Sequence, residues 1–185
     1  MPFAPFHELF PDIARRETRS ITTINSDDVP EAMYGLFELY CNERGCDCRR
    51  VVFHVNSPTI ETKPGSPLAT ISFGWEPESF YRQWASFELD GDDLEELRGP
   101  ALMRLAPQSR YAPALLDRIR SVLKDPAYVD RIVRHYQMYR DAIESGAGLK
   151  RKISMGWSDE KRKQRRRQRK RARRKRRSEP KRQGR

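Results

Sequence analysis

The chain has 185 residues, 37% of them apolar, and a formal net charge of +11 that is unevenly spread. Lys150 to Arg185 hold 20 Lys or Arg against Asp159, Glu160 and Glu179, about +17, which leaves about −6 on residues 1 to 149. No window approaches the ~20 apolar residues of a membrane span, and "MPFAPFHELFPDIARRE" lacks the basic start and apolar core of a signal peptide, so neither a membrane partner nor export is expected.

In chain order, Thr18 to Ile24 is rich in β-branched residues and reads as a first strand. Met33 to Cys41 alternates with period two: Met33, Gly35, Phe37, Leu39 and Cys41 share one side, Tyr34, Leu36, Glu38 and Tyr40 the other. Cys48 to Val55 alternates likewise, and the two read as arms of a hairpin. Matching Phe37 and Leu39 with Val51 and Phe53 requires partner numbers that sum to an even value. Phe37 opposite Val51 then sets Glu38 opposite Arg50 as an ion pair, with "NERGC" as the loop and Gly45 free to take a positive φ. Leu68 to Trp75 is a further strand, after the turn-rich "NSPTIETKPGSP".

The period then changes. Pro77 suits the first turn of a short helix carrying Phe80, Tyr81 and Trp84. The acids of "LDGDDLEEL" (Asp90, Asp92, Asp93, Glu95, Glu96) lack the spacing of a calcium loop and read as a solvated turn with a helix N-terminus. Leu115, Leu116, Ile119, Val122 and Leu123 form an apolar stripe. A last helix starts with Asp125 as N-cap and Pro126 at N1, carries Val129, Ile132, Val133, Tyr136 and Ile143, and ends before Gly146. Its short joint to the preceding helix points to antiparallel neighbours. Strands first and helices later give an α+β fold over residues 1 to 147: a small antiparallel sheet of about four strands packed against C-terminal antiparallel helices, followed by a disordered or helical basic tail at 148 to 185.

All three cysteines, Cys41, Cys46 and Cys48, lie inside "YCNERGCDCRRVVFHV". In a reducing, cytoplasmic compartment clustered thiols point to metal or reactivity before disulfides, and an odd count agrees. A thiolate binds zinc at ~2.3 Å, and structural zinc takes four donors in a tetrahedron. With Cys41 ending one strand, Cys46 in the turn and Cys48 opening the next, three sulfurs can converge. His135, beside the apolar stripe of the last helix, is the expected fourth ligand, ahead of His7 and Asp47. His54 is six residues from Cys48 along one strand, roughly 20 Å at ~3.3 Å per residue, and is set aside. Arg44, Arg49 and Arg50 would lower thiolate pKa values. "CDC" resembles the C-x-C opening of the short SEC-C metal-binding motif, whose Gly-Ser-Gly-Lys run and closing pair are absent; the resemblance covers three residues.

The tail "EKRKQRRRQRKRARRKRRSEPKRQGR" contains no aromatic residue and only Ala172 among aliphatics, so it cannot bury a core. Arg165, Arg166, Arg167, Arg169, Lys170, Arg171, Arg173, Arg174, Lys175, Arg176 and Arg177 are the expected nucleic-acid contacts. Arginine favours bidentate phosphate contacts and stacking on unpaired bases, so RNA is favoured over DNA. The tail resembles the arginine-rich extensions of ribosomal proteins, which implies ribosome association. Trp157, near the tail, is placed either to dock the linker or to stack on a base.

No G-x-S-x-G, phosphate-cradling glycine loop, H-E-x-x-H or G-x-G-x-x-G occurs. The expectation is therefore a small zinc-binding, nucleic-acid-associated protein and not an enzyme. Two alternatives stand beside it. One is a hydrolase or deaminase-like enzyme with an open Cys-ligated zinc, although H-x-E with P-C-x-x-C is absent. The other is a metal-free module that grips a protein partner.

Overall fold

The computed structural model describes residues 3–63 and 65–146; the basic segment 148–185, with Trp157 and the expected nucleic-acid contacts, lies outside them. In chain order the elements are β1 (Phe3–Pro5), α1 (Phe6–Leu9), α2 (Pro11–Glu17), β2 (Ser20–Thr23), β3 (Ala32–Cys41), β4 (Arg50–Asn56), β5 (Ala69–Gly74), α3 (Glu78–Trp84), α4 (Gly91–Arg98), β6 (Ala101–Leu102), α5 (Ala112–Val122) and α6 (Pro126–Glu144). The strands form one antiparallel sheet in the order β1-β3-β4-β5-β6, with β2 also pairing with β3.

The α+β reading holds, with six strands where about four were expected. The additions are β1 and β6, three and two residues long, too short for alternation to register in the sequence. Helix signals act as read. Asp125 accepts from the Ala127 N–H at 3.0 Å, Pro126 opens α6, and Gly146 follows its end with φ +71°. The acidic run is the start of α4, where Asp90 and Asp93 form a reciprocal capping box and Arg104 pairs with Asp92 and Asp93.

Helices α5 and α6 bury one face of the sheet. Tyr34, Leu36 and Tyr40 of β3, Val51, Phe53 and Val55 of β4 and Ile71 of β5 meet Leu115, Ile119, Ile132 and Tyr136 in a single cluster. Each such side chain contributes about 1.5–3 kcal/mol when fully buried. A second cluster, Tyr81, Leu89, Leu94 and Leu97, joins α3 and α4. Gly74 permits this approach, since a Cβ there would stand 2.1 Å from the Tyr81 hydroxyl and 2.5 Å from the Leu97 carbonyl oxygen.

The β3–β4 register differs from the expected one. Leu36 pairs with Val55, Phe37 with His54 and Glu38 with Phe53, so partner numbers sum to an odd value and the Glu38–Arg50 pair does not form. The cause is the choice of buried face. Tyr34, Leu36, Glu38 and Tyr40 face the helices while Phe37 is 37% exposed, because polar partners meet them inside: the Pro30 carbonyl for Tyr34, and the Ile132 carbonyl and His135 of α6 for Tyr40 and Glu38. Strand β4 accordingly opens at Arg50, two residues after Cys48, and the connection runs over the eight residues Asn42–Arg49.

Candidate metal centre

Cys41 is the last residue of β3, and Cys46 and Cys48 lie in the connection to β4. Two left-handed residues fold this connection back on itself. Gly45, at φ +74°, turns the chain where Cys46 N–H reaches the Glu43 carbonyl, and Arg49, at φ +43°, turns it again into β4. The result brings the three Sγ atoms within 4.8 Å of one another. Cys41 and Cys48 are fully buried, Cys46 is half-buried, and none is in a disulfide.

Tetrahedral zinc with ~2.3 Å bonds to sulfur sets neighbouring sulfurs about 3.8 Å apart, so at most about an ångström of closure separates this triangle from a zinc-bound one. The donor set fits a thiophilic divalent ion. The thiols already share charge: hydrogen bonding from Cys48 holds Cys41 down to about 6, with Arg140 adding a smaller attraction. Burial pushes Cys46 up, and the bond to Cys41 pushes Cys48 far above the usual thiol range. Within the triangle Cys41 is thus the thiol most readily ionised and Cys46 and Cys48 the ones held protonated; a divalent cation would displace their protons.

The loop is clamped from two sides. On α6, Arg140 donates to the carbonyls of Cys41 (3.2 Å) and Glu43 (2.8 Å) and pairs with Glu144, whose Oε1 accepts from the Gly45 N–H at 2.8 Å. Tyr136 donates to Asp47 (2.9 Å) and accepts from the Arg49 N–H (3.3 Å). From α3, Tyr81 donates to the Arg49 carbonyl at 2.9 Å, and the Arg49 guanidinium pairs with Asp47 and Glu76 and lies 4.7 Å over the Phe80 ring. Sequence reasoning placed Asp47 and Arg49 at the cysteines but missed Tyr81, Tyr136, Arg140 and Glu144 there. Tyr136, Arg140 and Glu144 follow one another at i, i+4 and i+8 on one helix face, which was a visible stripe; its destination was not.

The expected fourth ligand is elsewhere. His135 Nδ1 lies 2.7 Å from Glu38 Oε2, its Nε2 lies 3.3 Å from Glu17 Oε2, and its ring stacks on Phe6 at 4.4 Å. Both nitrogens thus face carboxylates, and among the described residues the group whose ligand atoms converge comprises the three cysteines alone. His7 meets the Phe37 ring edge at 6.3 Å, and His54 pairs with Phe37 and Thr70 in the sheet, burial depressing its pKa. Asp47 accepts two hydrogen bonds from Arg49, which hold its carboxyl below the usual carboxylate range, and a third from Tyr136.

Among the described residues no helix is long and apolar enough to cross a membrane. Comparison with models of known protein families, with curated proteins and with solved structures finds no match for this chain, so the functional reading rests on the convergence of Cys41, Cys46 and Cys48.

Proposed function

We propose that this chain is a small zinc-binding protein that associates with nucleic acid through residues 148–185, RNA in preference to DNA, with the ribosome as its setting. The zinc half is carried by three sulfurs within 4.8 Å in a loop that α6 and α3 hold in place. Thiolates select zinc among the common divalent ions, and an ion there would tie the end of β3 to the approach to β4, a structural role. A cytoplasmic setting belongs to the same reading, since thiolates persist as metal ligands where disulfides do not form.

The nucleic-acid half is supported by charge: 20 Lys or Arg against three acids from Lys150 onward, with arginine in the majority. Such a segment gains affinity by releasing counterions from phosphates, so log K should fall with log salt by about 0.7 to 0.9 per phosphate neutralised. Fluorescence anisotropy of a labelled structured RNA and of duplex DNA, across a salt series, tests this. Steep slopes, tighter RNA binding and loss of binding on deleting 148–185 are expected; undiminished binding after that deletion would remove the tail from the proposal. For the metal, mass spectrometry of the purified untagged chain should find about one zinc per chain. Cys48→Ser should lose it.

A further inference from the structure

Closed structural zinc sites take four protein donors, whereas three donors leave a position for an exchangeable ligand. This chain brings three together. Among the described residues no other ligand atom joins them: His135 is engaged by Glu38 and Glu17, Asp47 by Arg49 and Tyr136, and His7 lies apart against the Phe37 ring. The sequence beyond residue 146 contains neither Cys nor His.

The three sulfurs are not equivalent. Cys41 and Cys48 are sealed, while Cys46 is half-buried and lines a cleft of about 330 Å³ with Glu43, Arg44, Trp84 and Phe87. Phe87 is 64% exposed and Trp84 is partly exposed, which gives the cleft apolar walls. Arg44 Nη2 donates to the Glu144 carbonyl at 3.1 Å, and among the described residues no carboxylate lies within ion-pair distance of its guanidinium. Resting on the metal reading above, we infer that the fourth coordination position opens toward this cleft beside Cys46 and takes an exogenous small thiol bearing a carboxylate. Its thiolate completes an all-sulfur set and its carboxylate meets Arg44. A thiolate is the donor that best matches an ion already held by thiolates, and Arg44 supplies the fixed positive charge a carboxylate needs.

Cobalt(II) in place of zinc gives the readout. The full-length reduced chain, loaded anaerobically with one equivalent of cobalt, should show sulfur-to-cobalt charge-transfer absorption. Mercaptoacetate should raise that absorption saturably and shift the visible ligand-field bands, with cobalt remaining on the protein after gel filtration. Arg44→Ala should load cobalt normally yet bind mercaptoacetate about tenfold more weakly, the scale of one hydrogen bond to a charged group. 2-Mercaptoethanol, which lacks the carboxylate, should bind wild type and variant alike. A cobalt spectrum that mercaptoacetate leaves unchanged, or cobalt stripped by it, would overturn the exchangeable position while the metal site stands. Equal mercaptoacetate affinity in Arg44→Ala would overturn the assigned cleft. A folded chain with no sulfur-to-cobalt absorption would overturn the metal reading itself.

Discussion

His135 and Tyr136 are neighbours on α6, yet they serve two polar clusters of opposite construction. Around His135 unlike polar groups face one another: Glu38 Oε2 accepts from Tyr40 at 2.8 Å and faces the imidazole, Tyr40 also lies 3.1 Å from the Ile132 carbonyl, and Glu17 faces the other ring nitrogen while pairing with Arg131 and Arg134. Around Tyr136 the hydrogen bonds go to the loop and its Asp47, and the three sulfurs inside that loop are like groups that would repel once ionised. The first cluster draws its contacts from within the protein, although Glu38 Oε1 is buried there without a hydrogen-bond partner among the described residues. The second becomes complete by taking a cation, because thiolates cannot satisfy one another. What singles out the cysteine loop is the convergence of three like donors, and that arrangement calls for an ion.

The largest way to break this contrast is at the sulfurs. Cys48→Ser should abolish metal binding and cost about 4 kcal/mol or more in stability, the range in which loss of a metal falls. Chelation of the wild type should lower its midpoint of thermal unfolding comparably, whereas it should leave the variant unmoved. Next is the self-contained cluster. His135→Leu removes the hydrogen-bond partner of the buried Glu38 carboxylate and should cost about 1–3 kcal/mol in denaturant unfolding. Its metal content should equal that of the wild type; a loss of zinc in a folded His135→Leu chain would return His135 to the coordination sphere.

Smaller effects sharpen the comparison. Tyr136→Phe removes the hydroxyl that links Asp47 to the Arg49 N–H and should cost about 1 kcal/mol. It should also weaken zinc retention about tenfold in a chelator competition, as loss of an outer-shell partner does. The smallest effect is at alkaline pH. Burial, chiefly, pushes Tyr139 up to about 12 from an ordinary 10.0. A raised folded pKa means that this contribution is intact below the unfolded value and lost as pH rises through the folded one, so stability should decline between about pH 10 and 12. Tyr139→Phe should flatten that decline in pH-dependent thermal melts, leaving Tyr81, also pushed up to about 12, as a remaining contributor.

Much of the architecture was legible in the chain. Period-two alternation located β3, β4 and β5, and Asp125, Pro126 and Gly146 fixed the ends of α6, because these signals act within one element. The clustering of the thiols was legible too, since Gly45 between Cys41 and Cys46 marks a turn that folds the segment back. What tertiary structure decided was which face of β3 is inside and what each donor meets there. Alternation is symmetric between faces, and hydropathy favoured Phe37 and Leu39; Tyr40 and Glu38 prevailed because α6 brings the Ile132 carbonyl and His135 across a sequence gap of more than ninety residues. The same long-range placement took His135 from the cysteines and put Tyr136, Arg140 and Glu144 on their loop. A ligand's identity is written locally, but its availability depends on every polar group packed against it, and that is settled only when the helix lands on the sheet.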